Sequence, residues 1–117
     1  MSWGKISLRP ADSLFSLYLR TLIGHCEVCG KQEGLQASHY FGRRNENTRF
    51  SLENVDCLCA RCHRKFHEKP HDYTEWKKKK LGEKRYALLV IAANTYKKRD
   101  DKMERLRWRE ALKTLKV

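Results

Sequence analysis

The stretch Asn54-Val-Asp-Cys-Leu-Cys59-Ala-Arg-Cys62-His63-Arg-Lys-Phe-His67 carries a CxxC pair followed by two histidines four residues apart. A second pair, Cys26-Glu-Val-Cys29, lies upstream, so the chain reads CxxC-x29-CxxC. Zinc prefers four soft ligands in a tetrahedron, and a CxxC turn presents two thiolates to one metal with little strain. Cys26, Cys29, Cys59 and Cys62 are therefore predicted to hold a structural zinc. Four thiolates fill the coordination shell and leave no place for a reactive water. A redox pair or free thiols is the competing reading, and two CxxC pairs in so short a chain weigh against it. Cys57 is left over and reads as a small core residue on an extended segment. His25, just before Cys26, reads as solvated.

Working outward, 117 residues make one domain, or a small domain with an appendage. Such a chain buries a modest core and often relies on a metal or a partner. Lys and Arg number 26 against 14 Asp and Glu, a formal net charge of +12. That surplus points to a polyanion, most often nucleic acid, although ribosomal and membrane-surface proteins share it. No apolar run approaches the roughly 18 residues of a membrane span. The start, Met1 to Lys5, lacks the apolar stretch of a secretory signal. Five cysteines, four of them in CxxC pairs, argue against a disulfide framework and for a reducing, cytoplasmic setting without membrane association.

The elements fall in two parts of one compact unit, 1–71 and 72–117. In the first, Asp12 reads as the N-cap of a helix to Ile23, with Phe15, Leu19 and Leu22 at helical spacing and Gly24 as its stop. Leu35 to Phe41 reads as a strand, Gly42 to Asn47 as a turn-rich loop, and Thr48-Arg49-Phe50 as the returning strand. Ala60 to Glu68 reads as a helix stopped by Pro70. In the second part, a short piece with Trp76 and Lys77 to Lys80 breaks at Leu81-Gly82. Glu83 to Lys98 reads as a helix whose apolar centre, Tyr86 to Ala93, is expected to be buried on most sides. Asp100 or Asp101 caps a last helix with Trp108, Ala111, Leu112 and Leu115 on one face. From Asp72 onward there are 15 Lys and Arg against 7 Asp and Glu, so this part is basic as well as helical. The class is α+β.

His63 and His67, at i and i+4, project from one helix face and can share one divalent cation, though such pairs also occur by chance. His39 falls on the first strand, which the zinc would bring beside that helix. Held in one tautomer, it can take a proton from water as a general base. Asn54 can bond to loop backbone and fix the hairpin. Arg43, Arg44 and Arg49 around the turn, and Arg61, Arg64 and Lys65 on the helix, are candidate phosphate contacts. Lys77 to Lys80 and Arg105, Arg107 and Arg109 rank below them, because charge runs on helices are more often solvated faces.

These segments resemble the HNH nucleases of ββα-metal, treble-clef-like fold. The matching residues are Leu35-Gln-Ala-Ser-His39-Tyr, Asn54-Val-Asp-Cys-Leu-Cys59-Ala-Arg-Cys62-His63, and His67. More narrowly, Leu35-Gln-Ala-Ser-His39-Tyr-Phe with Arg43, Thr48-Arg49-Phe50-Ser-Leu-Glu-Asn54, and Asp72-Tyr-Thr-Glu-Trp76 running into Leu81-Gly82-Glu83 look like the phage Rap/NinG recombination nucleases. The resemblance covers roughly residues 12 to 100 and implies a zinc-stapled core flanked by an N-terminal helix and basic C-terminal helices. It implies His39 as general base, Asn54 as the residue that orients the hairpin, and His63 and His67 as ligands of a catalytic Mg²⁺, Mn²⁺ or other transition metal. The implied substrate is DNA, branched or single-strand-containing, and the implied setting is phage recombination, with a homodimer as one arrangement. Many HNH enzymes carry Asp or His just before the base. Here it is Ser38, as in Rap/NinG-like sequences, which leaves the metal shell short of a ligand. Rap/NinG-like sequences often have Asn where His63 stands, and the His63–His67 pair looks more like the colicin-type nucleases. Two alternatives stay open: a nicking or packaging-associated endonuclease, and a zinc-finger DNA-binding module without catalysis.

Overall fold

The structure, a computed structural model, describes residues 8–115. Its elements run α1 (Pro10–Ile23), β1 (Leu35–His39), β2 (Val55–Cys59), α2 (Ala60–Glu68), α3 (Pro70–Ala93) and α4 (Asp101–Thr114).

Helix α1 begins earlier than the sequence suggested. Pro10 occupies its first turn, where a missing N–H costs nothing, and Arg9 is the N-cap. Asp12 is not the cap. It sits one turn in and accepts the Arg9 backbone N–H at 2.7 Å. Gly24, at φ 76°, closes the helix in the left-handed region. Ala11, Phe15 and Leu19 form the buried stripe, whereas Leu22 points outward.

The ribbon is antiparallel, with Leu35 opposite Cys59 and His39 opposite Val55. The returning strand is thus Val55–Cys59. Thr48-Arg49-Phe50 is instead a run of turns, held by Thr48 N–H to the Asn45 carbonyl and Ser51 N–H to the Thr48 carbonyl. All three of its residues are buried, so the segment packs as core rather than pairing as an edge. Strand β2 is buried along its whole length because it is covered on both faces. Val55 and Cys57 join Phe15, Leu19, Phe50 and Trp108 on one side. Leu58 joins Phe66 and Tyr73 on the other. Alternate side chains of a strand point to opposite faces, and the fold uses both.

Helix α2 has the predicted bounds, and Pro70 then opens α3 directly. Within α3, Gly82 takes φ 80° and ψ 164° and breaks the helix where the sequence signalled. The apolar second half is not buried on most sides. Leu89 and Ala93 are buried, but Leu88 and Ile91 are 56% and 60% exposed. That half ends at Ala93 rather than Lys98, because the Asn45 and Asn47 side-chain amides donate to the Ala93 carbonyl at 3.0 and 2.9 Å.

Asp100 caps α4 by accepting Met103 N–H at 3.0 Å. Helix α4 returns to α1, where Trp108 meets Phe15 edge-on at 4.6 Å and Tyr18 at 5.3 Å. Of the last helix's expected apolar face, Trp108 and Ala111 cover the α1 core of this same chain. No helix among the described residues is long and apolar enough to cross a membrane.

Candidate functional site

Cys26 and Cys29 lie in the turn after α1, Cys59 ends β2, and Cys62 is in the first turn of α2. Their four sulfurs lie within 4.8 Å of one another, and no other group of three or more His, Cys, Asp or Glu donors converges so closely among the described residues. A tetrahedron of zinc–sulfur bonds about 2.3 Å long spaces its sulfurs about 3.8 Å apart. Cys29 Sγ and Cys59 Sγ stand 3.7 Å apart. The cluster therefore fits a structural metal such as zinc. Burial alone would raise the Cys26 thiol, but the backbone N–H groups of Cys29, Cys59 and Val28 hold it down to about 6. Gly30, at φ 83°, makes the knuckle turn. Cys57 is fully buried among apolar side chains, and burial together with Glu27 pushes its thiol up to about 11, as an inert core residue requires. His25 is exposed and only donates to the Ile23 carbonyl.

Three histidines line one cleft of about 250 Å³. β1 delivers Ser38 and His39, α2 delivers His63, Phe66 and His67, and α3 delivers Pro70 and Tyr73. His39 Nε2 lies 3.1 Å from the Arg49 carbonyl. A carbonyl only accepts, so Nε2 carries the proton and Nδ1 keeps its lone pair. Burial, and then the Arg43 charge, push His39 down to about 4, so the ring is neutral at pH 7. His63 Nδ1 donates to Gln36 Oε1 at 2.6 Å, which leaves His63 Nε2 as the lone-pair nitrogen. Burial, His67 and Arg43 lower the His63 pKa in that order. His67 is exposed. Two imidazoles four residues apart on one helix face could supply part of a divalent-metal shell. Ser38 adds no ligand, for it is buried with its hydroxyl 2.9 Å from the Tyr73 hydroxyl.

Asn54 is completely buried and never reaches the cleft surface. Its Oδ1 accepts Phe41 N–H at 2.8 Å, and its Nδ2 donates to the Phe41 and Thr48 carbonyls at 2.9 and 3.2 Å. It closes the loop between the strands.

The basic candidates divide sharply. Arg49 is a core residue rather than an exposed phosphate contact: it is 6% exposed and forks onto Asp12. Arg43 is half-buried, 3.7 Å from Asp12, and close enough to act on both His39 and His63. Arg44 is exposed. Arg61, Arg64 and Lys65 are exposed and, with Glu68 and Lys69, line a groove of about 520 Å³ on the outer face of α2. Arg105, Arg107 and Arg109 are exposed on α4. The lysine run is only partly a solvated face: Lys78 and Lys79 are exposed, but its two ends turn inward. Lys77 is 0% exposed, and it and Lys80 reach Asp56 Oδ1 at 2.8 and 2.6 Å. Tyr73 donates to Asp56 Oδ2 at 2.6 Å.

Asp56 was missed at the sequence level. An aspartate inside the apolar run Val55-Asp-Cys-Leu-Cys59, with a lysine pair three residues apart downstream, was the available signal. Burying a carboxylate demands charged partners, and Lys77 and Lys80 meet that demand.

Comparison with protein-family models, curated proteins and solved structures found no match. The class these observations define is a small α+β protein with a four-cysteine cluster able to hold a metal.

Proposed function

We propose that this protein is a metal-dependent endodeoxyribonuclease of HNH type. The observation that carries the reading is the His39 imidazole. It is neutral, with Nε2–H spent on the Arg49 carbonyl, and it lines the same cleft as His63 and His67. A base oriented in this way takes the proton of a water at Nδ1, and the water attacks phosphorus. The 3′ oxygen leaves and takes a proton from solvent, giving 5′-phosphate and 3′-hydroxyl ends. His63 and His67 would hold a divalent ion, which would supply positive charge to the phosphate and the leaving oxygen. Arg43 lies near enough to act on the same imidazoles through its charge and would add a guanidinium for the phosphate. Arg61, Arg64 and Lys65 form a separate cationic groove on the outer face of α2, suited to backbone phosphates away from the cut.

The narrower substrate, branched DNA cut during phage recombination, rests on the sequence resemblance. One such site cuts one strand, so symmetric cleavage of a junction needs two chains. A zinc-finger binding module is the second reading. It is favoured by the cysteine cluster being the one convergent donor group of three or more among the described residues.

The test compares labelled four-way junction, flap, single-stranded and linear duplex DNA with Mg²⁺, Mn²⁺ or EDTA, using wild type and His39→Ala. Metal-dependent cutting lost in His39→Ala supports the nuclease, and a preference for branched substrates supports the narrower role. DNA binding without cutting under every metal supports the binding module instead.

A further inference from the structure

Asp12 lies on α1, outside the cleft, and is 3% exposed. A carboxylate buried to that degree is costly unless its oxygens are filled by donors. Arg49 Nε donates to Oδ1 at 3.0 Å and Arg49 Nη2 to Oδ2 at 2.5 Å, a fork-on-fork pairing that fixes a guanidinium in position and angle. The Arg9 backbone N–H adds a third bond at 2.7 Å. Arg49 Nη1 also donates to the Arg43 carbonyl at 3.2 Å, so the loop around Arg49 is held from two sides. Arg49 is the residue whose own carbonyl accepts His39 Nε2–H. A continuous path therefore runs from α1 through the Arg49 side chain and backbone to the cleft imidazole. Which nitrogen of a histidine carries the proton is set by the partner of the other.

We propose that Asp12 is a positioning residue for His39: by clamping Arg49 it holds the carbonyl that keeps the ring in its Nε2–H form, with Nδ1 free to act as the base. The proposal rests on the reading of His39 as the base. A merely structural Asp12–Arg49 pair would stabilise the core and leave the ring's tautomer alone. In Asp12→Asn the amide presents N–H groups where the guanidinium needs an acceptor, and the clamp opens while the volume is kept. Arg49→Lys keeps the charge but loses the fork.

The experiment takes the full-length, zinc-loaded chain as wild type, Asp12→Asn and Arg49→Lys. It reads long-range ¹H–¹⁵N correlations of the histidine rings without DNA, and kcat and KM on cleaved DNA. Wild type is expected to show one neutral Nε2–H pattern for His39. Asp12→Asn is expected to show a mixed-tautomer pattern, with kcat down about 10- to 100-fold and KM changed by less than about twofold. A folded Asp12→Asn with an unchanged His39 pattern overturns the proposal. If Asp12→Asn does not fold, the same pattern change in Arg49→Lys upholds it and an unchanged pattern overturns it. A tautomer shift in a protein that cleaves no DNA upholds the clamp and removes the nuclease reading. Cleavage by wild type with an unmoved tautomer in the variants does the reverse.

Discussion

The two ends of the β1–β2 ribbon arrange their cysteine and histidine side chains in opposite ways. At the Leu35–Cys59 end, four sulfurs lie within 4.8 Å of one another, anchored by a strand end, a helix start and a glycine turn. At the His39–Val55 end, His39 shares a cleft with His63 and His67, yet these imidazoles form no group of comparable closeness. The first arrangement needs nothing but the ion. The second, on the proposed nuclease reading, would be complete only when substrate and solvent joined it. A closed shell suits a staple and an open one suits chemistry, so on the proposed reading one short ribbon would keep the two roles apart by distance along its strands.

The contrast between the ends breaks first, and most heavily, at the cysteines. Cys59→Ser, or prolonged chelation, is expected to unfold the chain, since a structural zinc is worth on the order of 10 kcal/mol to a small domain. Circular dichroism melts with metal titrated back would register it, and a chelated protein that melts unchanged would remove the staple. At the other end, His39→Ala is expected to lower cleavage by about 10²- to 10⁴-fold while zinc content stays at that of wild type. Asp56→Ala separates the ribbon from the chemistry. It strands Lys77 in the core and should cost about 3–5 kcal/mol in urea denaturation, because a buried charge is left without its partner.

A smaller effect follows from pH. The folded His39 titrates at about 4 against an unfolded value of 6.5, so the unfolded chain binds the extra proton between those values. The contribution is fully present above pH 6.5 and is lost as pH falls through about 4. His39→Gln should lack that part of the acid dependence, which urea melts across pH 4 to 7 would show. The smallest change is expected from Arg64→Ala or Lys65→Ala: a few-fold weaker DNA binding, with the salt slope reduced by about one for each phosphate that the variant no longer neutralises. Equal slopes for wild type and variants would take α2's outer face out of the DNA footprint.

The cysteine end was legible in the sequence because its signal is local spacing, and spacing survives folding. The bounds of α2 and the break at Gly82 were legible for the same reason. The return strand was misplaced because Thr48-Arg49-Phe50 has strand-like residues, while Val55-Asp-Cys-Leu-Cys59 hides its alternation under burial on both faces. The roles of Asp12, Arg49, Asp56 and Lys77 were not legible. Each depends on a partner between 21 and 37 positions away in the chain, and nothing in a local window distinguishes a paired charge from a solvated one. At the histidine end, residue types were readable, but the donation of His39 to a carbonyl ten positions on was not.

Gly82 decides how α3 is laid along the rest of the chain. Its φ of 80° with ψ of 164° belongs to a backbone region essentially closed to residues with a side chain. A straight helix of 24 residues would be a rod about 36 Å long. Bent at Gly82, it is a bracket instead. One arm is bolted to Asp56 beneath the ribbon, and the other receives Asn45 and Asn47 at its tip. One achiral residue thereby lets a single run of helix reach both Asp56 and the Asn45–Asn47 loop, much as a corner piece joins two sides of a frame.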